Sequence, residues 1–188
     1  MTQELLIGGD LSVKRLGFGA MRLARDGWAG AARDPEAGRA VLRRAVEFGV
    51  NHLDTATLYR SPDGAVSANQ LIREALYPYP SDLVIATKVG PAFGPRGVVE
   101  APASRLRELV EDNLRSLNLD RLELVYLRLG NNLEIPHGAS LGERFEAIAK
   151  LRNEGFIRHL GISHVDAHHL AEDRRIAEGA RLALLIGC

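Results

Sequence analysis

Short apolar runs alternate with longer amphipathic stretches almost from end to end of the 188-residue chain. This is the pattern of βαβ units, in which each strand feeds a helix that packs back before the next strand begins. The strand runs are RLGFGAM (15–21), VNHLDTA (50–56), DLVIATKV (82–89), LELVYL (122–127), FIRHLGIS (156–163) and ARLALLIG (180–187). Helices are predicted between them over 35–49, 65–76, 101–119, 140–155 and 166–179. Pro35 suits the first turn of the first helix, and the third is apolar at Leu106, Leu109, Val110, Leu114 and Leu117. The fourth opens on Ser140 with Glu143 three residues later, a capping pattern. Ahead of the repeat, LLIGGDLSVKRL sets Gly8-Gly9-Asp10 between two short apolar runs, which predicts a β-hairpin capping one end of the fold.

Each strand–helix unit takes about 25–40 residues, in keeping with right-handed parallel crossovers. Such units build either an open doubly wound sheet, flavodoxin-like at its simplest, or a parallel barrel. An open nucleotide-binding sheet marks its site with G-x-G-x-x-G, and Gly17-Phe18-Gly19-Ala20-Met21-Arg22 lacks the third glycine. Asp54, Lys88, Arg128 and Ser163 all fall at the C-terminal ends of strand runs, where a (β/α)8 barrel carries its chemistry. The expectation is one α/β domain over 1–188, a parallel TIM-type barrel with about six of its eight strand–helix units. A full barrel takes about 250 residues, so the C-terminal units are expected to be lacking.

Composition narrows the partners. With 46% hydrophobic and 26% charged residues the chain has the make-up of a soluble globular protein. Basic and acidic residues number 24 each, so no net field attracts nucleic acid or an anionic membrane, and a small molecule is the expected partner. Cys188 is the sole cysteine, which rules out an intrachain disulfide and points to a reducing, cytoplasmic setting. No apolar run approaches the roughly 20 residues that span a bilayer, and the N-terminus lacks the pattern of an export signal. His137, His168 and His169 lack H-E-x-x-H spacing, so no metal is expected.

Three residues stand out chemically. A lysine ending an apolar strand is costly to bury unpaired, and Asp54 at the end of the preceding strand can answer Lys88. Tyr59, in the loop after Asp54, is then placed to hand a proton to a carbonyl oxygen that becomes an alkoxide. From spacing alone this reading stays level with a structural Asp54–Lys88 ion pair and an incidental loop tyrosine.

The segments that carry these residues resemble the aldo-keto reductase superfamily over about residues 5–178. Gly17-Phe18-Gly19-Ala20-Met21-Arg22-Leu23 resembles its first-strand motif. Phe48-Gly49-Val50-Asn51-His52-Leu53-Asp54-Thr55-Ala56, with Tyr59, is similar to its signature G-[IVY]-x-x-[FIL]-D-T-A-x-x-Y. Leu83 to Lys88 resembles the catalytic-lysine strand, Leu106 to Leu119 the helix written S-L-x-x-L, and Lys150 to Ser163 the segment G-K-I-R-x-I-G-V-S-N. The resemblance implies an NADP(H)-dependent oxidoreductase that reduces aldehydes or ketones to alcohols. Tyr59 is then the general acid, Lys88 the cation that eases the phenol's loss of its proton, and Asp54 the partner of Lys88. Gly19, Met21, Arg22, Asp54, Ser163 and His164 fall at cofactor positions, with Ser163 hydrogen-bonding the carboxamide of the nicotinamide.

The chain departs from the family pattern in three places. Arg128 stands where the fourth-strand motif D-L-x-x-x-H ends in His; a guanidinium holds its protons but donates hydrogen bonds to a developing alkoxide. The competing reading pairs Arg128 with Glu123 or a neighbouring acid away from the site. His164 replaces the Asn that usually follows the Ser. Finally, the P-[KR]-[ST] loops that grip the cofactor's 2′-phosphate are not found, so a truncated, impaired reductase with weak NADPH binding is expected. Open barrel edges imply self-association, and the alternative is a non-catalytic interaction module completed by another chain.

Overall fold

The computed structural model describes residues 4–27, 30–94, 97–129, 142–165, 171 and 186–187. In chain order it comprises β1 (Glu4–Ile7), β2 (Leu11–Lys14), β3 (Phe18–Gly19), α1 (Pro35–Glu47), β4 (His52–Asp54), α2 (Ala68–Leu76) and β5 (Val84–Val89). Then follow β6 (Pro91–Gly94), β7 (Gly97–Glu100), α3 (Leu106–Leu117), β8 (Leu122–Arg128), α4 (Gly142–Asn153), β9 (Ile157–Ser163) and β10 (Ile186–Gly187). Six strands form one sheet in the order β10-β9-β8-β5-β4-β3, and every neighbouring pair is parallel. With helices returning between strands, this is the expected parallel (β/α) barrel architecture, incomplete at six strands among the described residues.

Local sequence explains the elements. Asp34 caps α1 by accepting from the Glu36 backbone N–H at 3.0 Å, and Pro35 takes the first turn, where its missing donor costs nothing. All six residues of β5 are buried, as a parallel strand covered on both faces requires. Side chains on β5 and β8 alternate between two cores. Ile85, Val89, Val125 and Leu127 pack outward with Leu42, Leu71, Leu109 and Phe145 of the helices. Val84, Ala86, Leu124 and Tyr126 face inward and share a cluster with Ile7, Leu11 and Val13 of the β1–β2 hairpin, which covers one end of the inner core as expected. Gly8 in the hairpin turn has φ 61°, and a Cβ there would lie 2.2 Å from His159 Cε1, so only glycine lets the turn press onto β9.

The first strand is shorter than predicted. It spans only Phe18–Gly19, and Ala20–Arg22 turns into a 3-10 helix closed by Leu23 N–H donating to Ala20 C=O at 3.0 Å. The antiparallel hairpin β6–β7 lies in a stretch for which the sequence predicts no element. The predicted Ser140 cap, the helix over 166–179 apart from Ala171, and residues 180–185 of the last strand lie outside the described residues. No helix among the described residues is long and apolar enough to cross a membrane.

Candidate active site

Parallel pairing brings the C-terminal ends of the strands to one side. Gly19 pairs with Asp54, Asp54 with Ala86, Lys88 with Tyr126, and Arg128 with Ser163. The alternation that turns Val84 and Ala86 inward also turns Lys88 inward, beside Asp54 on the neighbouring strand. Lys88 Nζ lies 2.5 Å from both Asp54 carboxylate oxygens and 3.4 Å from the Thr55 carbonyl oxygen. Its side chain is 4% exposed against 36% for Asp54, so the pair sits at the rim with the cation on its inner side. Lys88 Nζ also lies 5.1 Å from the centroid of the buried Tyr59 ring. The three residues singled out in the sequence are therefore together, and the Tyr59 hydroxyl makes no hydrogen bond among the described residues.

The tyrosine loop is tightly held. The Tyr59 N–H donates to Ala56 C=O at 3.0 Å, its own carbonyl accepts from the Ala68 N–H at 2.8 Å, and Arg60 stacks 3.9 Å from the Phe93 ring centroid on β6.

Arg128 ends β8 on the inward face shared by Leu124 and Tyr126. It makes no ion pair among the described residues. Glu123 is held by Arg121 at 2.8 Å and Arg158 at 2.7 Å, so the competing Arg128–Glu123 pairing is not formed. Gly90, with φ 128°, lies so close that a Cβ on it would come within 2.2 Å of the Arg128 carbonyl oxygen.

Ser163 is fully buried and its Oγ has no hydrogen-bond partner among the described residues, a costly arrangement for a structural serine. The next residue, His164, adopts φ 62°, and its Nδ1 lies 2.6 Å from the Leu129 carbonyl oxygen. A carbonyl can only accept, so Nδ1 donates this bond, and in the neutral ring Nε2 is an acceptor. Gly19 is exposed at the end of β3, Met21 is half-buried against the outer core, and Arg22 is exposed in the 3-10 turn. His137, His168 and His169 lie outside the described residues.

Two features beside the site are absent from the sequence reading. His52, two residues before Asp54, has a buried Nε2 without a hydrogen-bond partner among the described residues. Burial holds its ring below the usual histidine range, Asp54 opposing and Lys88 reinforcing the shift. Behind the pair, Thr55, Asn69, Thr87 and Asn113 form a fully buried hydrogen-bonded chain. The sequence holds one signal for it: Asn113 interrupts the apolar stripe of α3 between Val110 and Leu117.

A family model described as the aldo/keto reductase family matches residues 15–179. Pyridoxine 4-dehydrogenase of Escherichia coli (strain K12) is 41% identical over 190 residues, covering 95% of this chain and 62% of that protein. The uncharacterized oxidoreductase C215.11c of Schizosaccharomyces pombe is 37% identical over 166 residues, covering 87% of this chain and 51% of its own length. The chain thus spans less than two thirds of these curated relatives. Among solved structures, the holo form of aldo-keto reductase AKR11C1 from Bacillus halodurans matches with a TM-score of 0.75 at 28% identity, covering 99% of this chain and 66% of that one. An aldo/keto reductase from Klebsiella pneumoniae in complex with NADP and acetate matches in fold, with a TM-score of 0.72 at 24% identity over 95% of this chain and 56% of that one. The chain belongs to the aldo/keto reductase family.

Proposed function

We propose that this site reduces an aldehyde or ketone to an alcohol with NADP(H), Tyr59 acting as general acid. The observation that carries the reading is the Lys88 ammonium, locked 2.5 Å from Asp54 and 5.1 Å from the Tyr59 ring, at the C-terminal ends of parallel strands. When bound, the nicotinamide supplies a hydride to the carbonyl carbon. The Tyr59 hydroxyl donates its proton to the carbonyl oxygen, and the Lys88 charge favours the phenolate left behind. Asp54 holds Lys88 in place through both carboxylate oxygens. Arg128 donates a hydrogen bond to the oxygen as negative charge builds on it.

The residues present fit the nicotinamide. The orphaned, buried Ser163 Oγ offers a hydrogen bond to a carboxamide, and His164 Nε2 offers an acceptor beside it. Gly19, Met21 and Arg22 would border the cofactor on the β3 side. NADP is the expected form because the Klebsiella pneumoniae relative is in complex with it. The name of the 41% identical relative, pyridoxine 4-dehydrogenase, makes a pyridine-ring aldehyde the first substrate to try.

Steady-state oxidation of NADPH with pyridoxal and a panel of simple aldehydes tests the reading. Tyr59→Phe is expected to lower kcat/KM by about 10²–10⁴, the range for losing a positioned acid. Undiminished turnover in Tyr59→Phe would remove the tyrosine from the chemistry and end the reading.

A further inference from the structure

We infer that the buried Thr55–Asn69–Asn113–Thr87 chain is a positioning device that sets Lys88 against Asp54 from behind the sheet. Thr55 directly follows Asp54, and Thr87 directly precedes Lys88. Because side chains alternate along a strand, each threonine points to the helices where its neighbour points to the site. The Thr55 hydroxyl donates to Asn69 Oδ1 of α2 at 2.7 Å, and the Thr87 hydroxyl donates to Asn113 Oδ1 of α3 at 2.6 Å. Asn69 Nδ2 donates to Asn113 Oδ1 at 3.1 Å, which joins the two halves, and to Ser116 Oγ at 2.9 Å.

The two amides are not free to turn. Asn113 Nδ2 donates to the Leu109 carbonyl at 2.8 Å, so Oδ1 must face Thr87 and Asn69. All four residues of the chain are 0% exposed, so water does not compete for these bonds. The separation of Thr55 from Thr87, and with it that of Asp54 from Lys88, is therefore fixed by two amides as well as by the β4–β5 ladder. An asparagine on the apolar stripe of α3 gives up packing for this hydrogen-bonding role. The inference rests on the reading of Lys88, Asp54 and Tyr59 as the catalytic group, but its test does not depend on turnover alone.

Thr87→Val keeps the volume and branching of the side chain and removes the hydroxyl, whereas Thr87→Ser keeps the hydroxyl and removes a methyl. A packing role makes Ser the more damaging change; a positioning role makes Val so. The chain has three lysines, Lys14, Lys88 and Lys150, so competitive reductive methylation read by mass spectrometry reports Lys88 against two internal references. Thr87→Val is expected to raise Lys88 labelling by about tenfold and to lower kcat by a similar factor at unchanged KM, the scale of one buried hydrogen bond. Thr87→Ser is expected to stay within about twofold of wild type in both readings. Thr55→Val and Thr55→Ser repeat the comparison from the other end of the chain should a variant at 87 fail to fold. Wild-type labelling in the Val variants, or equal labelling in Val and Ser, overturns the inference. If the wild-type protein reduces no carbonyl, the reductase reading fails, and the labelling still decides whether the threonine hydroxyls set the pair.

Discussion

Arg128 ends β8 on the inward face, unpaired among the described residues, while Glu123 on the same strand is fully engaged by Arg121 and Arg158. A guanidinium left without a carboxylate at a site rim is available to an oxyanion. Arg128→Ala should lower kcat/KM for carbonyl reduction by about 10²–10³, and Arg128→His should be tolerated with a changed preference across an aldehyde panel. Unchanged kinetics in Arg128→Ala would place Arg128 outside the chemistry. His52 offers a test of another kind. Its folded pKa lies below the ordinary 6.5 because burial disfavours the cation. As pH falls through 6.5 the unfolded chain takes up a proton that the folded one refuses, so stability declines until the folded ring also titrates. The urea midpoint should therefore drop between pH 7.5 and 5.5, and His52→Leu should flatten that slope; an equal slope in the variant would exclude His52 as its source. Asp54, Tyr59 and Lys88 were legible in the sequence because each sits in a strand end or its adjoining loop, within a contiguous motif. Asn69 and Asn113 were not, because their partners lie 14 to 44 positions away on other elements.

The hairpin β6–β7 follows β5 after a single residue, Gly90, and turns back so that the Ala101 N–H donates to the Gly90 carbonyl at 2.8 Å. Glu100 at its end pairs with Arg144 of α4 at 2.5 Å, and Phe93 lies under Arg60 beside the tyrosine loop. Gly90 is the hinge of this arrangement. Alanine there would have to adopt φ 128° and drive its Cβ to 2.2 Å from the Arg128 carbonyl oxygen, with Arg144 Nη2 at 3.1 Å. Gly90→Ala should destabilise by about 2–4 kcal/mol in urea unfolding and depress turnover through Arg128, whereas an unchanged midpoint would show that β5 and β8 can part without cost. Helices α1 and α3 and strands β5, β8 and β9 were legible because their apolar positions keep one period over many residues. The hairpin was not, since PAFGPRGVVE carries two prolines and two glycines within ten residues, which read as loop. The shortened β3 was missed for a related reason: its apolar run continues into a 3-10 turn that keeps Ala20 buried.

Across the molecule, the β1–β2 hairpin is joined to β9, far along the chain. Arg158 bridges Asp10 at 2.8 Å and Glu123 at 2.7 Å, while His159 Nε2 meets Asp10 at 2.6 Å. Beneath these contacts, Ile7, Leu11 and Val13 close over Val84, Ala86, Leu124 and Tyr126. The alternating pattern of the sequence revealed both the hairpin and the barrel; the long-range bonds between them lay beyond it, because nothing in GGD names a partner 148 residues away. That separation reverses the order of synthesis. The hairpin leaves the ribosome before its seat on β9, which is made 148 residues later, on the order of ten seconds at typical elongation rates of roughly 5–20 residues per second. The hairpin must therefore wait for β9 before it can dock. In pulse-labelled hydrogen exchange during refolding, amides of Leu5–Val13 should gain protection after those of β5 and β8, and earlier protection of the hairpin would contradict this order. A nascent chain in that interval carries Ile7, Leu11 and Val13 uncovered, which makes the β1–β2 hairpin a segment for a chaperone to hold.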